Sequence, residues 1–441
     1  MIQVRRLRTA AAFLEHLSSL GISLPFDEAP EGGDAADHFA ILPMEGWDAT
    51  TDGLPTDLVR RRWQRFGESG ARLVWGGEAV AVREDGRANP NQLVIGPHVG
   101  ELRALLAPDQ ITGLQLTHSG RFAFAEPLTV SPHAVLDRRR PGRLLRDDEL
   151  DSIADSFVHA ARVARDAGFD FVDIKACHGY LHHELLAAVG RVGSRYGGPS
   201  LPDRARYLLD IVRRVRDACP DLAVGVRLSV FDEVAYRADP VDGRGVPDLV
   251  DGEPPSFLFG SADDLAEPLS LVASLVDVGV TLLCVTAGSP YYCPHVQRPA
   301  YFPPSDGYLP PEDPLVGVAR LLSAAASVKT AFPALTVVGS GYSYLQEWLP
   351  NVAQAVVRRG DADLVGIGRM ALSYHDLPLD VRNGRPLDRR RLCRTFSDCT
   401  TAPRNGLVSG CWPLDPFYKL RTDRPVLAEA KRASRWQVAD A

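Results

Sequence analysis

Short apolar runs, rich in β-branched residues and spaced by stretches of helical periodicity, set the pattern of this chain. In order they are FAILPM (39–44), RLVWGGEA (72–79), ITGLQLTH (111–118), FVDIKA (171–176), VGVRLS (224–229), LLCVTA (282–287), TVVGS (336–340) and LVGIG (364–368). Most are continuous rather than alternating, as strands buried on both faces of a parallel sheet require. Amphipathic segments lie between them. The clearest are DDELDSIADSFVHAARVARDAG (147–168), where Asp147 and Asp148 favour a helix start and Gly168 a stop, and ARYLLDIVRRVRDA (205–218), ending before Pro220. Eight strands alternating with helices predict an α/β fold of the closed (β/α)8, or TIM-barrel, type, whose active site lies at the carboxyl ends of the strands.

Two stretches exceed ordinary connections: 119–146 after the third strand, and 231–262 after the fifth, the latter rich in Asp, Gly and Pro. Both are expected over the barrel mouth. The barrel is taken as residues 1–380, and the less regular 381–441 as a C-terminal extension packed on it. With 441 residues, 45% hydrophobic and 24% charged, the composition is that of a globular protein and excludes disordered and collagenous classes. A formal charge of -7 argues against nucleic-acid or anionic-membrane partners, which need clustered cations. Glu15 and His16 interrupt the first residues before a signal-peptide core develops, and no run of about 18 apolar residues occurs. A cytoplasmic protein acting on a small molecule is expected. Seven scattered cysteines suit reduced thiols better than a disulfide framework.

At the strand ends stand Glu45, Glu78, Gln115 with His118, Lys175 with His178 and Tyr180, and Arg227. The clusters Gly339-Ser340-Gly341 and Gly366-Ile367-Gly368-Arg369 follow strands seven and eight. In this fold those two loops commonly cradle a phosphate with backbone N–H groups, and Arg369 can add a charge-assisted contact. Lys175 is one of only four lysines (Lys175, Lys329, Lys419, Lys431) among 49 basic residues, so a lysine inside an apolar strand needs its own explanation. An ion pair with Asp173 or Glu184 would be one, and an acid paired with Arg227 inside the barrel would explain that arginine structurally.

Six segments in order resemble the Old Yellow Enzyme family of NADH:flavin oxidoreductases, over roughly residues 38 to 420. They are PMEGWDATTDGLPTD, QLTHSGR, FDFVDIKACHGYLHHELL with SRYGGPSLPDRARY, VGVRLS, VVGSGYS and ADLVGIGRMAL. The resemblance implies an FMN-dependent oxidoreductase, an ene-reductase that draws hydride from NADH or NADPH and delivers it to an activated C=C bond. It assigns Gln115 and Arg227 to the flavin's pyrimidine edge. Gly339, Ser340, Gly341, Gly368 and Arg369 fall to the FMN phosphate, and Pro43, Met44, Glu45 and either Gly76 or Gly77 to the neighbourhood of the ring. Lys175 and His178 take the place of the paired donors that hold a substrate oxygen, and Tyr180 that of the tyrosine that delivers a proton.

Two positions depart from the family. Lys175 stands where a histidine or tyrosine is usual, which favours a carboxylate or other anion as substrate over a plain enone. Glu45 stands where threonine or cysteine is usual, which would lower the flavin potential if ionised or donate a hydrogen bond if protonated. The alternatives are a flavin enzyme that oxidises an amine or biosynthetic intermediate, and a flavin-free lyase or hydrolase using Lys175 as nucleophile or His178 as metal ligand. His178 and His182 lie four apart, but Gly179 between them disfavours a zinc-binding helix, so no metal is expected, and His182 and His183 are placed on a helix surface or interface. Cys393, Cys399 and Cys411 resemble a degenerate remnant of an iron–sulfur loop that lacks one ligand. The resemblance also implies a homo-oligomer, as is common in the family.

Overall fold

A computed structural model describes residues 1–28, 37–250 and 258–433. The eight expected strands are all present, at Phe39–Ile41, Leu73–Val74 continued by Ala79–Ala81, Ile111–Thr117, Phe171–Ala176, Ala223–Ser229, Leu282–Thr286, Thr336–Gly339 and Leu364–Ile367. All pair in parallel, and the ring closes because the first strand pairs with both the eighth (Phe39 opposite Val365) and the second (Ala40 opposite Leu73), while the second meets the third (Leu73 opposite Ile111). Inside the ring Trp75 and Phe171 meet edge to face at 5.2 Å and, with Leu42, Cys284 and Val338, fill the barrel.

The second strand is broken where its sequence reads Trp75-Gly76-Gly77-Glu78. Gly77 has φ +58, a conformation side chains disfavour, and a Cβ on Gly76 would come within 2.7 Å of the Gln115 backbone. The break turns Glu78 away from the mouth. It pairs instead with Arg62, which also holds Asp48, in a buried triad that fastens the helix Asp57–Gly67 to the barrel. Burial pushes the Glu78 carboxyl up to about 7 against the pull of Arg62. Glu78 is therefore a structural residue.

The helix Asp147–Asp166 starts at the expected acids, turns Leu150, Ile153, Phe157 and Ala161 inward, and is followed by Gly168 at φ +83. The helix Leu201–Ala218 begins earlier than the periodicity suggests, because the Ser200 hydroxyl accepts from the Asp203 N–H and Pro202 fits the first turn.

Of the two insertions, 119–146 carries the helix Ala134–Arg139 and places Phe122 against the mouth residues Tyr180 and Tyr291. The other forms an antiparallel pair, Tyr236–Ala238 with Gly245–Pro247, and its residues 251–257 lie outside the described residues. Arg139 joins the two by donating to the Tyr236 carbonyl at 2.9 Å and pairing with Asp248 at 2.7 Å. The extension from 381 has a small core of its own (Ala402, Trp412, Tyr418, Leu427) and is tied to the barrel by Asp415, which receives Arg61 and Arg65. Its residues 434–441 lie outside the described residues. Among the described residues no helix is long and apolar enough to cross a membrane.

Candidate active site

Strands three, four and five place Gln115, Asp173 and Gly225 abreast, and one step on Lys175 stands beside Arg227. Asp173 points into the barrel. Its carboxylate accepts from Trp75 Nε1 at 2.7 Å, from Gln115 Nε2 at 2.5 Å and from the Arg227 backbone N–H at 2.6 Å. Full burial raises this carboxyl to about 6, and those donors hold it down. Asp173 thus fixes the side chain of Gln115 and the backbone of Arg227, and is not the partner of Lys175. Nor is Arg227 in an ion pair with it; the guanidinium Nε is buried without a hydrogen-bond partner.

The counter-charge of Lys175 comes from across the mouth. Lys175 Nζ lies 2.5 Å from Glu45 Oε1, and Glu45 Oε2 accepts from the Tyr180 hydroxyl at 3.2 Å. The ammonium also sits 3.8 Å from the centroid of the Tyr180 ring, a cation–π contact. Tyr180 OH is 2.9 Å from Tyr291 OH, and the Tyr291 ring stacks on Phe122 at 3.9 Å. Burial above all, then Glu45 and Tyr291, holds the Tyr180 phenol well above its usual range. His178 sits at φ +66, with its Nε2 3.3 Å from both Thr286 Oγ1 and Gln297 Nε2. Burial, reinforced by Arg227 and Lys175, holds it well below the usual histidine range, so it is a neutral imidazole near pH 7. Glu184, the other acid considered for Lys175, pairs with Arg121 at 2.7 Å.

These groups share one cavity of about 1140 Å³, counting its open mouth. Twelve of the fourteen site residues read from the sequence line it: Pro43, Met44, Glu45, Gln115, Lys175, His178, Tyr180, Arg227, Ser340, Gly341, Gly368 and Arg369. Gly77 and Gly339 stand behind the lining. The Gly77 carbonyl accepts from the Met44 N–H at 2.9 Å, and a side chain there would strike Trp63; the space beside Gly339 is taken by the Tyr342 hydroxyl, 2.8 Å from where a Cβ would be. Gly366 also lines the cavity, and a Cβ there would meet the Gly339 carbonyl and, at 2.8 Å, Leu42.

Sequence reasoning missed the outer wall. Tyr291, Gln297 and Arg298 come from the stretch between strand six and the helix Pro314–Ala331, and Thr400 and Arg404 from the helix Asp398–Arg404 of the extension. The available signal was the Tyr- and Pro-rich run GSPYYCPHVQRPAYFPP, too long for an ordinary connection. Arg298 donates to Thr400 Oγ1, while its Nε and Nη2 are buried without partners, as is Arg369 Nη1. Burial and the neighbouring Arg404 and Arg369 lower Arg298 to about 9. This end of the cavity calls for an anion.

His182 and His183 are not at the surface. Both are 1% exposed, because the helix Leu181–Leu186 is buried all round. His182 meets Phe157 edge-on and its Nδ1–H donates to the Lys175 carbonyl, and His183 Nδ1 accepts from the Gly179 N–H. Cys393, Cys399 and Cys411 line one small cavity beside the site. Among the described residues no group of three His, Cys, Asp or Glu side chains is placed to hold a metal ion, and all seven cysteines are free.

Residues 58–249 match the sequence profile of the NADH:flavin oxidoreductase / NADH oxidase family. An NADPH dehydrogenase of Listeria monocytogenes is 34% identical over 191 residues, 41% of this chain and 55% of the relative. The chain thus spans about half the length of the curated relatives it matches. Among solved structures, a 2-naphthoyl-CoA reductase complex superposes with a TM-score of 0.64 at 18% identity, covering 86% of this chain and 55% of that one. Morphinone reductase does so with a TM-score of 0.56 at 22% identity, covering 79% and 86%. These two likenesses are of fold.

Proposed function

We propose, from the match over residues 58–249, that the chain belongs to the NADH:flavin oxidoreductase / NADH oxidase family and is an FMN-dependent oxidoreductase. In this reading it moves hydride from NADH or NADPH to an activated C=C bond of a specialised substrate with anionic character. The observation that carries it is the pair of unmet donors in one cavity. Arg227 Nε, on strand five, and Arg369 Nη1, after strand eight, are both buried without partners, three strands apart around the ring. An unmet buried guanidinium N–H is costly, so the cavity suits a long ligand with acceptors at both ends, as FMN has in its pyrimidine edge and its phosphate. Gly341, Gly366 and Gly368 keep the phosphate end open to backbone approach. The residues fit the group.

FMN, when bound, supplies a carrier that accepts hydride from the nicotinamide and passes it to carbon. Gln115 and Arg227 would hold its pyrimidine edge. Because Asp173 already takes one Gln115 N–H, the amide oxygen and second N–H remain to face the ligand. Ser340, Gly341, Gly368 and Arg369 would hold the phosphate, with Pro43 and Met44 along the ring. His178, neutral and pinned by Thr286 and Gln297, donates to a substrate oxygen beside Lys175. Tyr180 gives its proton to the carbon next to that oxygen-bearing group, as hydride arrives at the far alkene carbon.

Two observations weigh against the other readings. A Schiff-base lysine needs a free amine, and Lys175 is held in an ion pair with Glu45. A cationic amine substrate would have to approach the Lys175 ammonium. The proposal includes a cytoplasmic location, and a homo-oligomer is compatible with it. Its test is reconstitution with FMN followed by NADPH- and NADH-dependent reduction of a panel of α,β-unsaturated acids and enones. Loss of the conjugated absorbance, fastest for the acids, is expected; a flavin-loaded protein that reduces none of them contradicts the reading.

A further inference from the structure

A tyrosine that gives up a proton at each turnover must regain one, and Tyr180 is 1% exposed. Two groups lie within reach of its hydroxyl. Tyr291 offers another phenol, itself stacked under Phe122. Glu45 offers a carboxylate oxygen at 3.2 Å, on a side chain 21% exposed at the cavity mouth, whereas Lys175 behind it is 3% exposed. We propose that Glu45 is the port through which Tyr180 regains its proton: it takes protons from solvent at the mouth and hands them to the phenolate. The inference rests on the reading of Tyr180 as the proton donor.

The Tyr180 O–H bond breaks as the substrate C–H bond forms, and the electron pair stays on the phenolate oxygen. The Lys175 ammonium over the ring and the Tyr291 hydroxyl hold that charge. A water or buffer acid at the mouth then protonates Glu45 Oε2 and departs as its conjugate base. The carboxyl O–H bond breaks as the phenol O–H bond re-forms, which restores the carboxylate–ammonium pair. The other ionisable groups facing this cluster are Arg227, His178, Cys177 and Arg404, besides Lys175 and Tyr291. Arg227 keeps its proton. His178 is buried with its Nε2 held by Thr286 and Gln297, Cys177 is fully buried with its thiol pushed up to about 12, and Arg404 is tied to Asp306 at 2.6 Å. Tyr291 is also half-buried at the cavity wall, but burial holds its phenol well above the usual range; Glu45 is the carboxylate among these groups that joins solvent to the Tyr180 hydroxyl.

The experiment is rapid-mixing turnover of the FMN-loaded full chain, wild type against Glu45→Gln and Glu45→Asp, with an unsaturated acceptor and NADPH. Because Glu45 acts after the first proton transfer, Glu45→Gln should give one equivalent of product in a burst and then a steady rate about tenfold or more below wild type. That slow rate should rise with added formic acid or imidazolium and be largely restored in Glu45→Asp. A Glu45→Gln enzyme with no burst, or one indifferent to added acid, overturns the inference. A second readout is the ultraviolet tyrosinate titration, taken as the difference from Tyr180→Phe in each background. Losing the Glu45 charge must move Tyr180 ionisation to lower pH, and an unmoved titration also overturns the inference, whether or not the protein carries flavin. Wild type that binds no FMN or reduces no alkene instead sinks the functional reading, and the titration still decides whether Glu45 and Tyr180 are coupled.

Discussion

Two carboxylates organise this barrel, and they do opposite work. Asp173 is fully buried and collects three donors, Trp75, Gln115 and the Arg227 backbone, so that its own chemistry is spent on holding others still. Glu45 lies at the open mouth, faces one cation and one phenol, and keeps contact with solvent. The contrast teaches that an acid near an active site is assigned by what surrounds it. An interior acid surrounded by fixed donors builds the floor on which a cofactor rests, whereas an acid with a route to water can trade protons.

Four substitutions would break or sharpen that contrast. At the mouth, Tyr180→Phe should slow alkene reduction by about 10²- to 10⁴-fold while flavin reduction by NADPH falls far less; equal loss in the two half-reactions, followed separately by rapid mixing, would remove Tyr180 from proton delivery. In the floor, Asp173→Ala leaves three buried donors unmet and should lower unfolding free energy by roughly 3 kcal/mol in urea titration. A loss under about 1 kcal/mol would mean that the interior network is not what holds Gln115 and Arg227.

Arg369→Leu should weaken FMN binding by about tenfold to a hundredfold, measured by quenching of flavin fluorescence, and leave riboflavin binding unmoved, since only FMN carries the phosphate. Parallel losses for both flavins would contradict the placement of that end. The smallest effect is expected at Lys175→Met, where binding of phenolate or carboxylate ligands that stack on the flavin should weaken by several-fold to about tenfold, because Glu45 already offsets part of the lysine's charge. Unchanged affinity in the charge-transfer band would confine Lys175 to holding Glu45.

The floor was far more legible in the sequence than the mouth. The strands announce themselves because burial on both faces demands continuous apolar runs, and the residues at their ends follow from the fold's geometry. The break in the second strand was not legible, since it depends on how closely Gly76 passes the Gln115 backbone. The pairing of Glu45 with Lys175 spans 130 positions of chain and exists only once strands one and four face each other across the ring. Arg298 and Arg404 come from segments without periodicity, where no repeat signals which side chains turn inward. His182 and His183 read as surface residues because a short helix next to a loop usually is exposed, and here the helix Leu181–Leu186 is covered all round.

The central claim, that this cavity is built for FMN and is reduced by a nicotinamide, is tested most directly by the visible spectrum of the purified or FMN-reconstituted protein under anaerobic conditions, before and after NADPH or NADH. The account predicts flavin absorbance that bleaches on addition of the nucleotide, with FMN identified on denaturation. A protein that takes up no FMN, or whose bound flavin keeps its colour with both nucleotides, would contradict it.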